Sequence, residues 1–238
     1  MSKDVKRGYF PSDEKEFGND ACRTLHRAGL DLYYLLNQGY HIKGASQFVG
    51  NHYLLSERQR LALVRAVSPM QSIEDRKARQ ITDIPAGCRV NIDGFNTIIT
   101  LEVALSDSTL LKCMDGTFRD LAALRGSYRL IDKTDTAITL IGKTLAAYNV
   151  GEAVFYLDSP VSNSGRLKTR ILELLDGVGF AVQVEVIHNV DSTLEKMENV
   201  VTSDAIILDK CKSWINLCED ILEKEIVHYS CKDFSLVE

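Results

Sequence analysis

Short apolar segments that end in an aspartate dominate the chain from residue 89 onward. They occur in the strings VNIDGFN, KCMDGTFRD, FYLDSPVSNSG and VVTSDAIIL, and amphipathic segments separate them. Such alternation of strand-like and helix-like segments is typical of βαβ units, whose strands form a parallel sheet. The sequence therefore predicts an α/β domain of Rossmann-like, three-layer architecture at residues 81–238, preceded by a small helical domain at residues 1–80.

Five strands and five helical regions are predicted in the α/β domain. The strands are Arg89–Asp93, Leu110–Met114, Ala153–Leu157, Val182–Ile187 and Val200–Thr202. The helical regions are Asn96–Leu105, a longer stretch from Phe118 to Tyr148, Gly165–Val178, Ser192–Asn199 and Ala205–Glu223. The last region carries an apolar stripe at helical spacing, which predicts that Trp214 lies in the core.

Helix start and stop signals define the first domain. Ser12 and Asp13 are suited to cap a first helix, which Gly39 ends, and a second short helix passes through Ala45. A third helix opens at Ser56–Gln59, which has the spacing of a capping box. Between residues 67 and 87 polar residues and two prolines break the pattern, and we place the domain boundary there.

Charge is unevenly distributed along the chain. Residues 1–80 hold 13 Lys and Arg against 9 Asp and Glu, a balance of +4, which leaves −9 for the remainder of a chain whose net charge is −5. Arg58 and Arg65 share a helix face, while Arg76, Lys77 and Arg79 form a basic cluster that is either a connector or a phosphate-touching arm. An acidic domain with a basic appendage suits a metal site that also holds a polyanion, although solvated surface charge explains the same split.

Apolar runs and cysteine spacing exclude several classes of protein. The longest apolar runs are far shorter than the roughly 18 residues needed to span a bilayer, and the first residues contain no apolar stretch suited to export. We therefore expect a cytoplasmic protein without a membrane partner. The six cysteines form no CxxC pair, so buried thiols are expected rather than a zinc cage or a disulfide framework. The oligomeric state stays open, with a homo-oligomer among the alternatives.

Acids at strand ends are expected to converge in space. Ligands bind beyond the carboxyl ends of the strands in open parallel α/β sheets. The acids in these positions are Asp93, Asp115, Asp120, Asp158 and Asp204. Carboxylates that are brought together raise one another's pKa, so a divalent cation is their natural partner. Because the ligands are hard oxygens without an accompanying His/Cys cluster, Mg²⁺ or Mn²⁺ is expected.

The most specific motif is Asp93-Gly94 followed by Asn96, and with it the domain resembles the PIN/NYN-like nuclease superfamily. Members carry an Asp in a D-x-N or DGxN setting at the end of the first strand, then further acids and a late TSD. The resemblance assigns these positions to Asp93 with Asn96, to Asp158 and to Thr202–Asp204. The remaining acid is open among Glu102, Asp115 and Asp120, because the insert after the second strand is longer and more charged than in a minimal PIN domain.

This resemblance implies a metal-dependent nuclease, with RNA favoured over DNA as the substrate. One or two cations held by Asp93, Asp158 and Asp204 would activate water, while Asn96 or Ser203 would position the water or the phosphate. The alternative is a non-catalytic nucleic-acid- or protein-binding module that keeps the acidic pocket. The whole chain also resembles a conserved archaeal and bacterial family of unknown function that pairs a small helical part with this domain.

Polar and basic side chains near the acids are predicted to contact the substrate. They are Arg125, Arg129, Ser162, Asn163, Ser164, Arg166 and Ser203. A helix start with serine hydroxyls and a glycine is suited to bind a phosphate. The alternative is that Ser162 or Asn163 is a plain helix cap and that the arginines pair with surface acids.

Overall fold

The computed structural model describes residues 5–122 and 126–235. Its helices are α1 (Asp13–Glu16), α2 (Asn19–Asn37), α3 (Ile42–His52), α4 (Glu57–Ala66), α5 (Met70–Arg79), α6 (Gly94–Leu105), α7 (Asp132–Ala147), α8 (Ser164–Leu174), α9 (Val190–Leu194), α10 (Ala205–Leu208) and α11 (Leu217–Glu225). Its strands are β1 (Arg89–Asp93), β2 (Leu110–Lys112), β3 (Phe118–Asp120), β4 (Glu152–Asp158), β5 (Ala181–Ile187), β6 (Val200–Val201), β7 (Trp214–Ile215) and β8 (Cys231–Asp233).

A five-stranded parallel sheet forms the centre of the α/β part, in the order β5-β4-β1-β6-β7. The chain moves from β1 outward through β4 to β5, then returns to β6 and β7 on the other side of β1. The order therefore reverses between β1 and β6, where a parallel α/β sheet opens a crevice beyond its carboxyl ends. The predicted α/β class with a parallel sheet and N-terminal helices is confirmed.

Helices cover both faces of this sheet. Along β4, Phe155 and Leu157 pack on one side in a cluster with apolar residues of α6, α7, α8 and α11. Val154 and Tyr156 point to the opposite side and pack with residues of α9 and α10. Because successive side chains of a strand point to opposite faces, the continuous apolar run of β4 fits a strand buried between two helical layers.

A second sheet, in the order β3-β2-β8, corrects two predictions. The segment predicted as strand Leu110–Met114 is not part of the parallel sheet, since β2 pairs antiparallel with β3 and parallel with β8. The predicted helical region from Phe118 begins as strand β3, and helix α7 starts only at Asp132. The reason is the tight turn at Gly116, whose φ of 81° suits glycine and folds the chain back as a hairpin.

Helices α1 to α5 precede the parallel sheet. The capping box at Ser56 is confirmed, because its side chain accepts from the Gln59 N–H and the Gln59 side chain accepts from the Ser56 N–H. The expectation of a broken pattern after residue 67 is wrong, since Met70–Arg79 forms α5 with Pro69 at its N-cap. Proline is tolerated there because the first N–H groups of a helix lack intrahelical partners.

The N-terminal helices and the second sheet share one apolar cluster. Phe17, Leu25 and Leu63 of the helical part pack in it with Leu111 of β2 and with Phe234. The predicted boundary between residues 80 and 81 lies between α5 and β1. Whether it separates two domains stays a prediction.

The predicted helix Ala205–Glu223 is divided into α10, β7 and α11. Trp214 is fully buried, as predicted, but it lies in β7, where its indole N–H donates to the carbonyl oxygen of Arg76 at 2.7 Å. Apolar spacing could not separate a buried helix from a short buried strand. Within residues 5–122 and 126–235, no helix has the length and hydropathy of a membrane span.

Candidate active site

A cavity of about 430 Å³ opens at the carboxyl edge of the parallel sheet, and we term it the acidic cavity. The aspartates that line it are Asp93, Asp120, Asp158, Asp191 and Asp204. Four of them follow four adjacent strands of the sheet, in the spatial order β5, β4, β1 and β6. Arg65 of α4 and Arg119 of β3 contribute to the lining as well. Asp93, Asp120, Asp158 and Asp204 were expected to converge at strand ends, and all four line this one cavity.

Asp93 is held where β1 passes directly into α6. It is the last residue of the strand and the N-cap of the helix, and its Oδ1 accepts from the Asn96 N–H at 3.4 Å. Gly94 follows because a Cβ there would lie 2.6 Å from Leu157 Cδ2 and 3.0 Å from the Tyr156 carbonyl oxygen. The aspartate-glycine pair is therefore a packing requirement of the strand-to-helix junction as well as a motif.

The Thr202–Asp204 segment is tied to Asp93. Thr202 Oγ1 donates to Asp93 Oδ2 at 2.9 Å and accepts from the Asp204 N–H at 3.0 Å. Asp204 caps α10, with Oδ1 accepting from the Ile206 N–H at 2.7 Å. Threonine at position 202 therefore fixes the separation of two acids that lie 111 positions apart in the sequence.

Asn96 and Ser203 lie together on the same wall. The Ser203 N–H donates to Asn96 Oδ1 at 2.8 Å, and Ser203 Oγ donates to the same atom at 3.0 Å. A backbone N–H can only donate, so the Asn96 atom that faces it is the oxygen. The Asn96 amide nitrogen has no hydrogen-bond partner among the residues that the structure describes, and it is free to donate to a ligand.

The electrostatics of the acidic cavity favour bound protons or a cation. Burial raises the pKa of Asp93 most strongly; the hydrogen bond from Thr202 lowers it, the charge of Asp204 raises it again, and the result is a pKa of about 7. Burial also raises the pKa of Asp158 and of Asp191, and the charge of Asp191 adds to the effect on Asp158. These carboxylates therefore act on one another, as the sequence predicted.

Of the three candidates for the remaining acid of the predicted site, Asp120 is the one that lies at the cavity. It lines the cavity and is 7% exposed; burial raises the pKa of its carboxyl while the charge of Arg65 lowers it. The structure corrects the candidates Asp115 and Glu102, which do not line the cavity. The fully buried carboxylate of Glu102 accepts from Arg7 Nε at 2.8 Å and from the Tyr128 hydroxyl at 2.7 Å.

Asp115 is instead the centre of a buried ion-pair group that we term the arginine clamp, Arg76–Asp115–Arg119. Its side chain has no exposed surface and is paired with Arg76, at 2.6 Å, and with Arg119. Burial alone would raise the pKa of Asp115, but the charges of Arg119 and Arg76 and the Thr117 hydroxyl hold it below its usual value. The same contacts show that Arg76 is not part of an exposed phosphate-touching arm.

The predicted substrate contacts around α8 do not line the acidic cavity. Asn163 occupies the N-cap position of α8 with φ 64°, and its side-chain amide donates to the Tyr128 carbonyl oxygen at 2.6 Å. Arg166 and Arg129 are exposed, whereas the neighbouring Arg170 of α8 pairs with Asp135. Ser162 and Ser164 also lie outside the cavity, Ser203 lines it, and Arg125 lies outside the described residues.

Comparisons with known proteins place the chain in a family. Residues 82–220 match a domain of unknown function, DUF5616, and residues 24–79 match a protein of unknown function, DUF434. The chain belongs to the DUF5616 family. An uncharacterised protein of Methanocaldococcus jannaschii is 34% identical over 204 residues, which cover 84% of this chain and 97% of that protein. No solved structure matches the chain.

The expected whole-chain family of unknown function, with an archaeal member, is confirmed by these matches. All five aspartates of the acidic cavity lie in the DUF5616 segment, while Arg65 lies in the DUF434 segment. The cavity is therefore built from both segments.

Sequence reasoning missed two charged residues of the cavity lining, Asp191 and Arg65. Asp191 follows β5 in the string HNVD, and the predicted strand Val182–Ile187 was the signal that an acid should be sought there. Arg65 was expected only to share a basic helix face with Arg58. Its position beside Asp120 depends on the packing of α4 against the second sheet, which no local pattern encodes.

The donor set of the cavity fits a hard cation, but the ligands are not gathered into a closed cage. In the part of the chain that the structure describes, no three His, Cys, Asp or Glu side chains form a group that could hold a metal ion. Mg²⁺ is commonly held by one or two carboxylates together with water and substrate phosphate, so the oxygen donors suit it without such a cage. Cation binding by Asp93, Asp158 and Asp204 stays a prediction.

Proposed function

We propose that the acidic cavity is the active site of a divalent-cation-dependent phosphodiesterase that cleaves RNA on a PIN-like α/β domain. The observation that carries the proposal is the set of aspartates that follow four adjacent parallel strands and line one cavity. The cavity lies beside the point between β1 and β6 where the strand order reverses, which is where ligands bind in this class of sheet. The preference for RNA comes from the resemblance of Asp93, Asn96 and Thr202–Asp204 to the PIN/NYN-like motifs.

The charge of the cavity supports a cation. Asp93 is 6% exposed and its hydrogen bonds come from neutral groups, Thr202 and the Asn96 N–H. A buried carboxylate without a positive partner is costly to ionise. Mg²⁺ or Mn²⁺ held by Asp93 and Asp204, with Asp158, would stabilise the charge that develops on a scissile phosphodiester.

The side chains have separate roles in this proposal. The unpartnered amide nitrogen of Asn96 would donate to a phosphate oxygen or to the attacking water. Asp191, an exposed carboxylate in α9 shortly after β5, would accept the proton of that water, since its raised pKa brings it closer to the working pH. Thr202 would keep Asp93 and Asp204 at a fixed separation. Arg119 would hold the Thr202–Asp204 segment by donating to the Ser203 carbonyl oxygen at 2.6 Å.

The experiment is a cleavage assay of the full chain with Mg²⁺ or Mn²⁺ on single-stranded and structured RNA and DNA. We expect RNA cleavage that needs the cation and that Asp93→Asn and Asp204→Asn each abolish. Asp20→Asn is the matched control, because the Asp20 side chain is 91% exposed and lies outside the cavity. Full activity in both cavity variants, or no cleavage of any oligonucleotide, contradicts the proposal.

A second candidate function is a nucleic-acid- or protein-binding module whose acidic cavity holds a cation without catalysis. Asp93, which is 6% exposed and has only neutral hydrogen-bond donors, would favour such a cation whether or not a phosphodiester is cleaved. This second function predicts that Mn²⁺ raises the thermal midpoint of unfolding while no oligonucleotide is cleaved. The same assay, paired with thermal denaturation, separates the two functions.

A further inference from the structure

Two inward-facing arginines of the N-terminal helices are committed to structural contacts. Arg58 pairs with Asp13 and donates to the carbonyl oxygens of Gly8 and Leu121, each at 3.1 Å. Arg76 belongs to the arginine clamp and is 3% exposed. Neither of them lines the acidic cavity. Their guanidinium groups are therefore held by protein acceptors and do not face the cavity.

Arg65 differs from both. It lines the acidic cavity and its side chain is 33% exposed. Its one bonded nitrogen, Nη1, donates to the carbonyl oxygen of Asp120 and forms an ion pair with Asp120 Oδ1 at 3.5 Å. The other nitrogens, Nε and Nη2, have no hydrogen-bond partner within residues 5–122 and 126–235. Two adjacent N–H directions of one guanidinium are thus available on the wall that α4 contributes.

Arg119, the other arginine of the lining, has no comparable freedom. Its Nε donates to the Ser203 carbonyl oxygen, its Nη1 to the Arg65 carbonyl oxygen and its Nη2 to Asp115. It is 7% exposed and fixed in place by these three acceptors. Any anion that enters the cavity would therefore meet Arg65 as the available donor among the described arginines.

The charge balance sets the condition for anion binding. The lining holds five aspartates against two arginines, so a phosphate entering alone would be repelled by the excess of carboxylates. A divalent cation on the acids would remove much of that repulsion. The pair of N–H groups on Arg65 matches the fork geometry with which arginine binds phosphate oxygens.

We propose that Arg65 binds a phosphate group of the ligand through Nε and Nη2, so that the N-terminal helices supply the anion-binding side of the acidic cavity. This inference rests on the proposed function, because the cation on the aspartates is what admits the phosphate. It names the ligand chemistry as a phosphate monoester or diester that bridges the acidic wall and α4.

The test is calorimetric binding of a nucleoside 5′-monophosphate to the full chain in the presence of Mg²⁺, compared among four proteins. They are the wild type, Arg65→Gln, Arg65→Lys and the control Arg23→Gln, which removes the same charge from a side chain that is 74% exposed and outside the cavity. Hydrogen bonds between charged groups predict a loss of about tenfold or more in affinity for Arg65→Gln. The nucleotide affinity of Arg65→Lys should lie between those of the wild type and Arg65→Gln. The affinity of Arg23→Gln should match that of the wild type.

Independent measurements separate a binding role from a structural one. The affinity for Mn²⁺ alone should be unchanged in Arg65→Gln, because the hydrogen bonds and the ion pair that the Arg65 side chain makes with described residues go to Asp120 and not to the predicted ligands. Thermal denaturation of each variant shows whether the fold survives the loss of the contact with Asp120. If Arg65→Gln is unstable, the affinity of Arg65→Lys is compared with that of the wild type instead.

The outcomes distinguish this inference from the proposed function. Wild-type affinity in Arg65→Gln, or no nucleotide binding by the wild type at any Mg²⁺ concentration, overturns the role of Arg65. RNA cleavage whose KM is unaffected by Arg65→Gln also overturns that role, while the phosphodiesterase activity stands. Nucleotide binding that depends on Arg65, with no cleavage of any oligonucleotide, overturns the activity and leaves the phosphate site in place.

Discussion

Asp93 and Asp115 are two buried aspartates of the same chain with opposite electrostatics. Asp93 is 6% exposed, has neutral hydrogen-bond donors and titrates at a pKa of about 7. The Asp115 side chain has no exposed surface, yet its pKa lies below the usual value because two arginines contact it. Burial is similar at both sites, so the placement of cations decides whether a carboxylate is ionised. The acidic cavity is the part of the molecule where protein cations do not balance the acids.

Removing the carboxylate of the arginine clamp should cause the largest decrease in the free energy of unfolding. Asp115→Asn leaves Arg119 buried without its paired carboxylate and leaves Arg76 with Asp209, at 2.7 Å, as its remaining counter-ion. Breaking a buried ion pair costs about 3 to 5 kcal/mol in comparable cases. Urea denaturation of the variant and of the wild type measures the loss. The exposed control Asp20→Asn should stay within about 0.5 kcal/mol. A loss below about 1 kcal/mol for Asp115→Asn would break the contrast between the two sites.

Asp93→Asn should show the opposite behaviour, and its effect should depend on pH. The folded-state pKa of Asp93, about 7, is above its ordinary value of 3.8, so between these values the folded protein holds a proton that the unfolded chain has released. The stability contributed by this group is therefore present at low pH and decreases as pH rises through that window, by at most roughly 1.4 kcal/mol per pH unit. Asn removes the dependence and can still accept from Thr202.

Urea unfolding of wild type and Asp93→Asn at several pH values from about 4 to 8 measures this difference. The free energy of unfolding of Asp93→Asn should increase relative to that of the wild type as pH rises. A constant difference across the window would show that Asp93 titrates like an exposed aspartate, and the comparison with Asp115 would then fail.

A divalent cation should stabilise the acidic cavity by a moderate amount. Ligand linkage predicts about 1.4 kcal/mol when the free Mn²⁺ concentration is ten times the dissociation constant. The stabilisation should disappear in Asp204→Asn and persist in Asp20→Asn, as measured by the thermal midpoint with and without Mn²⁺. Equal stabilisation of both variants would place the cation elsewhere on the protein.

Arg166 should show the smallest effect, because it is exposed and belongs to neither site. Arg166→Gln is expected to change the free energy of unfolding by no more than about 0.5 kcal/mol. If it contacts a phosphate of RNA, the slope of log affinity against log salt should decrease in magnitude by about 1. An unchanged slope, measured by fluorescence anisotropy, would remove Arg166 from the predicted contacts.

Local patterns predicted the elements whose signals lie within a few residues. The strand Arg89–Asp93, the capping box at Ser56 and the pairing of Asp93 with the Thr202–Asp204 segment follow from motifs and from the rule that strand ends converge. The second sheet was missed because β8 joins β2 from more than 100 residues further along the chain.

The role of Asp115 could not be read from the sequence for a similar reason. An aspartate after a strand looks the same whether its partner is a cation, a proton or a distant arginine. Arg76 reaches Asp115 only after α5 packs beside the parallel sheet, where the indole N–H of Trp214 donates to the Arg76 carbonyl oxygen. Long-range packing therefore separated structural acids from candidate site acids.

The apolar cluster shared by the N-terminal helices and the second sheet bears on how the protein can be divided. A chain cut at residue 80 would expose Leu111 and Phe234 to water and would lose the wall of the cavity that carries Arg65. The DUF5616 segment expressed alone is thus expected to aggregate and to lack the part of the acidic cavity that Arg65 lines. Both matched segments therefore need to be present in any fragment that is used to study the acidic cavity.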